Sequence, residues 1–176
     1  KLTQKDNNYW QPQNLNLNIL FEDDDIIIIN KPSGLVTHPG AGNWSGTLAN
    51  ALLYYDSNLS NIDRAGIVHR LDKNTSGLMV VAKNIKSQKF LVEQLQAHSV
   101  EREYSAIVYG HMISGGTINE PIGRDSKDRV KQTVMANGKE AITHYRAIDR
   151  FKSHTHVKAI LETGRTHQIR VHLSYL

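Results

Sequence analysis

Cysteine is absent from the 176-residue chain, which excludes disulfide scaffolds and thiolate metal sites. Long apolar runs are absent too. The longest, 26–29 and 78–82, are far shorter than the roughly 20 residues that a membrane helix needs. No secretory signal peptide is visible at the start of the chain. These absences predict a soluble, cytoplasmic protein with no place in a membrane.

Positively charged residues only slightly outnumber negatively charged ones. Lys and Arg number 21 against 17 Asp and Glu, which gives a net charge of +4 and an isoelectric point of about 9.3. Charged residues make up 22% and apolar residues 39%, a composition typical of a folded domain. The small positive excess permits a polyanionic partner without identifying one.

The spacing of apolar residues predicts more strands than helices. Residues 17–21 and 25–30 fit two strands, and four consecutive isoleucines in the second predict a central strand with both faces buried. The dipeptide Asn137-Gly138 predicts a tight hairpin between its flanking strands, and Thr166 fits the cap of a last helix. The glycine-containing loop 37–42 is interpreted as a connector. Together these features favour an α+β fold, a mainly antiparallel mixed sheet with a few flanking helices.

One stretch carries most of the chemistry, Gly66-Ile-Val-His-Arg-Leu-Asp-Lys-Asn-Thr-Ser-Gly77. It places Arg70 and Asp72 in a turn just before a predicted core strand, and a rigid edge of this kind can hold a reactive carboxylate in place. Taken alone, Asp72 favours a structural role at this point, because most turn aspartates are structural. Asp72 followed by Lys-Asn-Thr-Ser-Gly fits an ordinary Asx turn, and Arg70 fits a surface arginine that contacts phosphate.

Three further segments accompany this stretch: Asp25-Ile-Ile-Ile-Ile-Asn-Lys-Pro-Ser-Gly34, Arg102-Glu-Tyr104 and Leu161-Glu-Thr-Gly-Arg-Thr-His-Gln-Ile-Arg-Val-His172. In their order and spacing, the four segments resemble the motifs of the RluA family of RNA pseudouridine synthases, most closely its RluD-like branch. They cover almost the whole chain from Asp25 onward, and the four together are very specific. The resemblance implies a pseudouridine-synthase catalytic domain.

The resemblance implies isomerisation of uridine to pseudouridine in RNA, most closely in large-subunit (23S) ribosomal RNA, without a metal or a cofactor. By the family pattern, Asp72 is a carboxylate nucleophile that acts on a flipped-out uridine, and Arg170 keeps it ionised. Tyr104 stacks on the uracil near C5, and Arg70 fills the space that the uridine leaves. The remaining predicted RNA-binding residues are His69, Arg165, His167 and Lys31.

Other functions stay open. The chain fits a tRNA-directed synthase of the same family or a non-catalytic RNA-binding module of this fold, and a tyrosine on an alternating strand fits core packing. The nine histidines suggest a metal-dependent hydrolase as a further alternative. The best candidate ligands are His154, His156, His167 and His172. However, 167 and 172 do not share a helix face. The basic run Arg124, Lys127, Arg129 and Lys131 fits a solvated loop or a phosphate contact.

The domain boundaries follow from composition and from the resemblance. Residues 1–16 are rich in Asn and Gln, which predicts an N-terminal tail or linker remnant, and residues 17–176 form the catalytic domain. RluD-like proteins carry an S4-type RNA-binding domain before this region and further strands after the last motif. We therefore expect that the S4-type domain is absent, that the catalytic domain is truncated at its C-terminus, and that the chain is a monomer.

Overall fold

The computed structural model describes residues 10–128 and 131–176. These residues form two compact units, which divide between Gln96 and Ala97. Residues 1–9 of the predicted tail, and Arg129 of the basic run, lie outside the described residues. Each unit has an antiparallel sheet of its own, so the α+β class predicted from the sequence is confirmed. The extent of the catalytic domain, 17–176, stays a prediction.

The first unit contains a three-stranded sheet and two α-helices. Its elements are β1 (Ile19–Glu22), β2 (Ile26–Lys31), α1 (Leu48–Tyr55), two 3₁₀ turns (Ser57–Asn61 and Asp63–Gly66), β3 (Gly77–Ala82) and α2 (Ile85–Gln96). Strand β2 is central and pairs with β1 and β3. Helix α2 packs against β3, and α1 packs against the two 3₁₀ turns.

Strand β2 has only one fully buried face. Ile27 and Ile29 are 0% and 1% exposed, whereas Ile26 and Ile28 on the opposite face are half-buried. The prediction that both faces are buried is therefore wrong, because an antiparallel sheet commonly packs one face on the core and leaves the other partly covered. The next inward position of the strand is Lys31, and it is 1% exposed.

The described part of the N-terminal segment lies along helix α1. The side-chain amide of Asn50 donates to the carbonyl of Gln11 at 2.8 Å, and the backbone N–H of Gln13 donates to the carbonyl of Asn50 at 2.9 Å. The buried Asn50 thus joins this segment to the rest of the first unit through both its side chain and its backbone carbonyl.

The second unit contains six strands and one α-helix within the described residues. They are β4 (Glu103–Tyr109), β5 (Gly115–Asn119), β6 (Ile122–Arg124), β7 (Gln132–Val134), β8 (Ile142–Arg150), β9 (His154–Leu161) and α3 (Gln168–Tyr175). Four strands form a sheet in the order β4-β9-β8-β5, and β6 pairs with β7 separately. Val157 and Ala159 of β9 are fully buried and define the inner face of the sheet.

The dipeptide Asn137-Gly138 does not join a hairpin. Strand β7 pairs with β6, and β8 pairs with β5 and β9. Neither residue has a positive φ, which the type I′ turn of a two-residue hairpin requires. Instead Gly138 packs on Ile122, where an added Cβ would lie 2.6 Å from the carbonyl carbon. The predicted hairpin is wrong because this glycine serves a close backbone approach.

Helix α3 begins at Gln168, and its N-cap is His167 rather than the predicted Thr166. His167 has a φ of 58°, in the left-handed region, and makes no side-chain cap hydrogen bond. Along the parts of the chain that the structure describes, no helix has the length and apolar character to cross a membrane.

Candidate active site

Residues 66–77 form a loop that doubles back along strand β3. Ile67 bridges to that strand, and Nε2 of His69 accepts a hydrogen bond from the N–H of Val80 at 3.1 Å. Gly66 has a φ of 77°, and a Cβ added there would lie 2.0 Å from the carbonyl oxygen of Ala82. The beginning of the loop is therefore fixed against the strand into which the loop continues.

Three consecutive left-handed residues lead into this loop. Arg64 and Ala65 both have a φ of 53°, and Gly66 follows with 77°. Such a conformation costs about 1 kcal/mol or more at each non-glycine residue. It persists here because Ala65 is 3% exposed and packing holds it. Strain of this kind concentrates at functional sites.

Segment 31–37 holds the same loop from its other side. Three of the hydrogen bonds are Gly34 N to Lys73 O at 2.8 Å, Ser33 Oγ to Asn74 O at 3.0 Å and Thr37 Oγ1 to Leu71 O at 3.0 Å. The carbonyls of the residues on either side of Asp72 are thus both hydrogen-bonded to this segment. Hydrogen bonds thus join the first two of the four motif segments, and Thr37 belongs to the loop that the sequence analysis interpreted as a connector.

Lys31 supports the loop from within the core. Its ammonium donates to the carbonyls of Pro32, Leu35 and Lys73 at 3.0, 2.8 and 3.2 Å. Burial lowers the pKa of Lys31, and the nearby charge of Asp72 raises it, so lysine and aspartate attract each other. The predicted RNA contact of Lys31 requires an accessible amine, and this side chain is 1% exposed.

Asp72 is half-buried and opens a β-turn, since the N–H of Thr75 donates to its carbonyl at 3.1 Å. The structural and the catalytic interpretations are compatible, because the turn fixes the backbone and leaves the carboxylate partly accessible. Arg70 is exposed. Burial, and then the charge of Arg70, lower the pKa of His38 to about 4.

His38 was missed by the sequence analysis. Within 10–128 and 131–176, its Nε2 is buried without a hydrogen-bond partner, and Trp10 packs against its ring edge-on at 6.0 Å between ring centroids. His38 thus places a neutral imidazole near the exposed Arg70 of the loop. Only its position next to Thr37 in the sequence could have drawn attention to it.

The second unit carries the other predicted site residues. Tyr104 is half-buried on β4 opposite the buried Ala159, so it faces the inner side of the sheet. Arg170 is exposed on α3 and borders a groove of about 550 Å³ between β7 and α3, together with Lys131 and His167. Arg165 is exposed, and its Nε donates to the carbonyl of Glu140 at 2.8 Å.

A buried amide fixes the turn that leads to Arg170. Gln168 is 2% exposed, and all of its hydrogen-bonding groups are used. Its hydrogen bonds join Oε1 to Thr163 Oγ1 (2.8 Å) and Arg165 N (2.9 Å), and Nε2 to Ile142 O and Thr143 Oγ1 (both 3.0 Å). The sequence analysis did not single out Gln168, because a glutamine in a basic motif looks like a solvent-facing residue.

The candidate metal histidines have other partners. Nδ1 of His172 meets Thr143 Oγ1 at 2.8 Å, and Nε2 donates to the carbonyl of Glu120 at 2.9 Å. His154 packs edge-on against Tyr109. His156 meets Ser105 Oγ and Asp149 Oδ2 at 2.7 and 3.1 Å. Within 10–128 and 131–176 no three His, Cys, Asp or Glu residues are grouped so that they could hold a metal.

The predicted residues fall in both units. Lys31, His69, Arg70 and Asp72 belong to the first unit, and Tyr104, Arg165, His167 and Arg170 belong to the second. Within the first unit, the structure brings the predicted residues to one loop and its support. The pairing of Asp72 with Arg170 stays a prediction.

Residues 25–175 match the profile of a protein family described as RNA pseudouridylate synthase. The chain belongs to the RNA pseudouridylate synthase family. The matched range contains the four segments on which the resemblance was based, so the predicted family is confirmed.

Curated members of the family are more than half identical to the chain. Proteins named "Ribosomal large subunit pseudouridine synthase D" match from Buchnera aphidicola (58% identity over 98% of this chain and 54% of the relative), Xanthomonas campestris (56%, 94% and 50%) and Escherichia coli K12 (54%, 95% and 51%). The chain spans about half the length of these relatives.

Solved structures of the family share the fold. "Human RNA Pseudouridylate Synthase Domain Containing 1" matches with a TM-score of 0.72 and 26% identity, over 91% of this chain and 65% of that one. "Human RNA Pseudouridylate Synthase Domain Containing 4" matches with a TM-score of 0.68 and 30% identity, over 90% and 64%. The antiparallel α+β architecture is thus that of pseudouridylate synthase domains.

Proposed function

We propose that this chain carries the active site of an RNA pseudouridine synthase that isomerises uridine in large-subunit ribosomal RNA. The observation that carries the proposal is the fixed loop around Asp72. The carbonyls of Leu71 and Lys73, on either side of it, accept hydrogen bonds from Thr37, Gly34 and the Lys31 ammonium. A nucleophile benefits from such a support because catalysis depends on its exact position.

The reaction breaks the bond between C1′ and N1, turns the uracil, and joins C1′ to C5, so the hydrogen on C5 must leave. Asp72 serves as the nucleophile and must be ionised. By the family motif, Arg170 is the cation that keeps it ionised. Lys31 is a second nearby cation: burial lowers its pKa, and the charge of Asp72 offsets part of that effect. Tyr104 stacks on the base near C5.

The names of the relatives support the proposed substrate. They act, by name, on the ribosomal large subunit, which favours large-subunit ribosomal RNA over tRNA. The net charge of +4 and the exposed Arg70, Arg165 and Arg170 suit a polyanion. We propose that the chain acts as a monomer, which sedimentation of the purified protein tests.

The test uses RNA labelled with tritium at C5 of uridine, because pseudouridine formation releases that hydrogen. The protein as given should release tritium from a large-subunit ribosomal RNA transcript. Asp72→Asn should release none and still bind the transcript. Asp63→Asn is the matched control, since its side chain is 82% exposed in the same unit, and it should behave like the parent.

Three outcomes separate the alternatives. Tritium release by Asp72→Asn would refute the assigned nucleophile. Release from tRNA transcripts alone would move the substrate to tRNA. An inactive parent protein that still binds RNA would indicate a binding module. RNA binding should also weaken as the salt concentration rises. With roughly three phosphate contacts, the affinity should fall about tenfold or more between 50 and 200 mM salt.

A further inference from the structure

Arg102 has a role in none of the assignments above, although its guanidinium is held inside the second unit. The residue precedes β4, and the N–H of Leu161 donates to its carbonyl at 3.0 Å, so the strand ladder continues through it. Residues two apart on a strand face the same side. Arg102 and Tyr104 therefore share the inner face, about 7 Å apart along the backbone.

The guanidinium ties this strand to the turn before α3. Nη2 donates to the carbonyl of Glu162 at 2.5 Å and approaches that of Leu161 at 3.4 Å. Nη1 lies so close to Gly164 that an added Cβ would be 2.7 Å from it. The turn leads directly into α3 and Arg170, so a single side chain contacts both the tyrosine segment and the third motif.

The charge of Arg102 is compensated by dipoles. Its Nη2 acceptors are backbone carbonyls, and Nε is buried without a hydrogen-bond partner among the residues that the structure describes. Burial lowers the pKa of Arg102, and the nearby Tyr104 raises it. An arginine side chain stays charged in proteins. Such a cation in a partly desolvated place attracts any negative charge that develops on a neighbouring phenol.

The other titratable groups around this face are few. Tyr145 pairs with the same Ala159 as Tyr104 and faces the same side. His98 meets the carbonyl of Glu162, and the Glu162 carboxylate pairs with His144. Under the proposed function, Asp72 and Arg170 are the other charged groups that meet the same base.

We propose that Arg102 is a positioning residue, which holds the strand of Tyr104 against the turn of the third motif and whose charge favours the phenolate of Tyr104. The proposal rests on the proposed function for its catalytic consequence. A phenolate near C5 can accept the proton that leaves this carbon. The proton ends on the tyrosine oxygen, and the C5–H electron pair returns to the uracil ring.

The decisive measurement needs no RNA. Tyrosine labelled with ¹³C at Cζ reports phenol ionisation by NMR, and Tyr104→Phe assigns the Tyr104 signal among the seven tyrosines. Arg102→Gln should raise the pKa of Tyr104 by about one unit, a tenfold change in its ionisation constant. Arg102→Lys should keep most of the parent value. An unchanged pKa in Arg102→Gln would overturn the proposal.

A second variant keeps every charge. Gly164→Ala places a methyl group against Nη1, and the flexible guanidinium must move away. The Tyr104 pKa should then shift in the same direction as in Arg102→Gln, but less. This variant decides the question if Arg102→Gln fails to fold, since no shift would mean that the contact with Gly164 does not position the charge.

Tritium release tests the catalytic consequence. Arg102→Gln should be roughly tenfold slower than the parent at pH 7, and the gap should close as the pH rises past the shifted pKa. Arg102→Lys should restore most of the rate. A ratio that is constant with pH and not restored by lysine would refute the charge role. An inactive parent protein would refute the proposed function, while the NMR titration would still decide the role of Arg102.

Discussion

Replacing Thr37 by valine should remove one buried hydrogen bond while keeping the shape of the side chain. Thr37 is 2% exposed, and its hydroxyl donates to the carbonyl of Leu71 at 3.0 Å. Valine offers no donor, so a buried acceptor loses its partner, which costs about 1–3 kcal/mol. We expect the free energy of unfolding to fall by about 2 kcal/mol.

The same substitution should slow catalysis, because Leu71 immediately precedes Asp72. Without this hydrogen bond the loop has fewer restraints, and an error of about 1 Å in the position of a reacting group can cost about 100-fold in rate. We expect a rate that is lower by roughly ten- to 100-fold. RNA affinity should stay unchanged, because the buried hydroxyl is not available to RNA.

Urea unfolding and single-turnover tritium release measure the two effects. Thr37→Ser retains the hydroxyl and should keep most of the rate. Ser33→Ala removes a similar hydrogen bond to Asn74, but at an exposed position, and should cost less than about 0.5 kcal/mol. If Thr37→Val were as stable and as active as the parent, or no worse than Ser33→Ala, the support assigned to Thr37 would be refuted.

Four further substitutions test the supports of the site by urea unfolding. Gly66→Ala should cost more than about 3 kcal/mol because of its positive φ and its contact with the Ala82 carbonyl. Gly34→Ala is the comparison, since Gly34 has a φ of 90° but open space around it, and it should cost about 1 kcal/mol. Equal losses of stability would contradict the steric argument. Gln168→Leu removes the four hydrogen bonds of a buried amide and should cost about 3 kcal/mol, and a loss below about 1 kcal/mol would show that water replaces the amide. Because His38 titrates near pH 4 when folded but near about 6.5 when unfolded, stability should fall as the pH drops through this window, by about 2 kcal/mol after allowance for partial exposure and salt. His38→Gln should remove that part of the pH dependence, and identical profiles for parent and variant would refute it.

The strands around Asp72 were readable from the sequence because their signals are local. Isoleucines 26–29 predicted β2, and the apolar run 78–82 predicted β3. The residue types of the site were readable from motifs. The pairing register of the strands and the burial of individual side chains were not readable in this way. That Lys31 continues the buried face of β2 follows from its alternation with Ile27 and Ile29, a pattern that a run of identical side chains conceals.

The supporting residues were not predictable, because their partners are distant in sequence. Thr37 and Leu71 are 34 residues apart, and Arg102 and Glu162 are 60 apart. A threonine in a glycine-containing loop carries no sign of the carbonyl that it will meet. Asn137-Gly138 failed in the opposite way, since a strong local turn signal was overridden by packing on Ile122.

Asp72 also bears on the burial of Lys31. Burying an ammonium is unfavourable, and the pKa of Lys31 is lowered by that burial. The three backbone carbonyls that accept hydrogen bonds from the ammonium offset part of this cost, but none of them carries a formal negative charge. Asp72 supplies negative charge within the same unit, and this charge offsets part of the effect of burial on the pKa of Lys31.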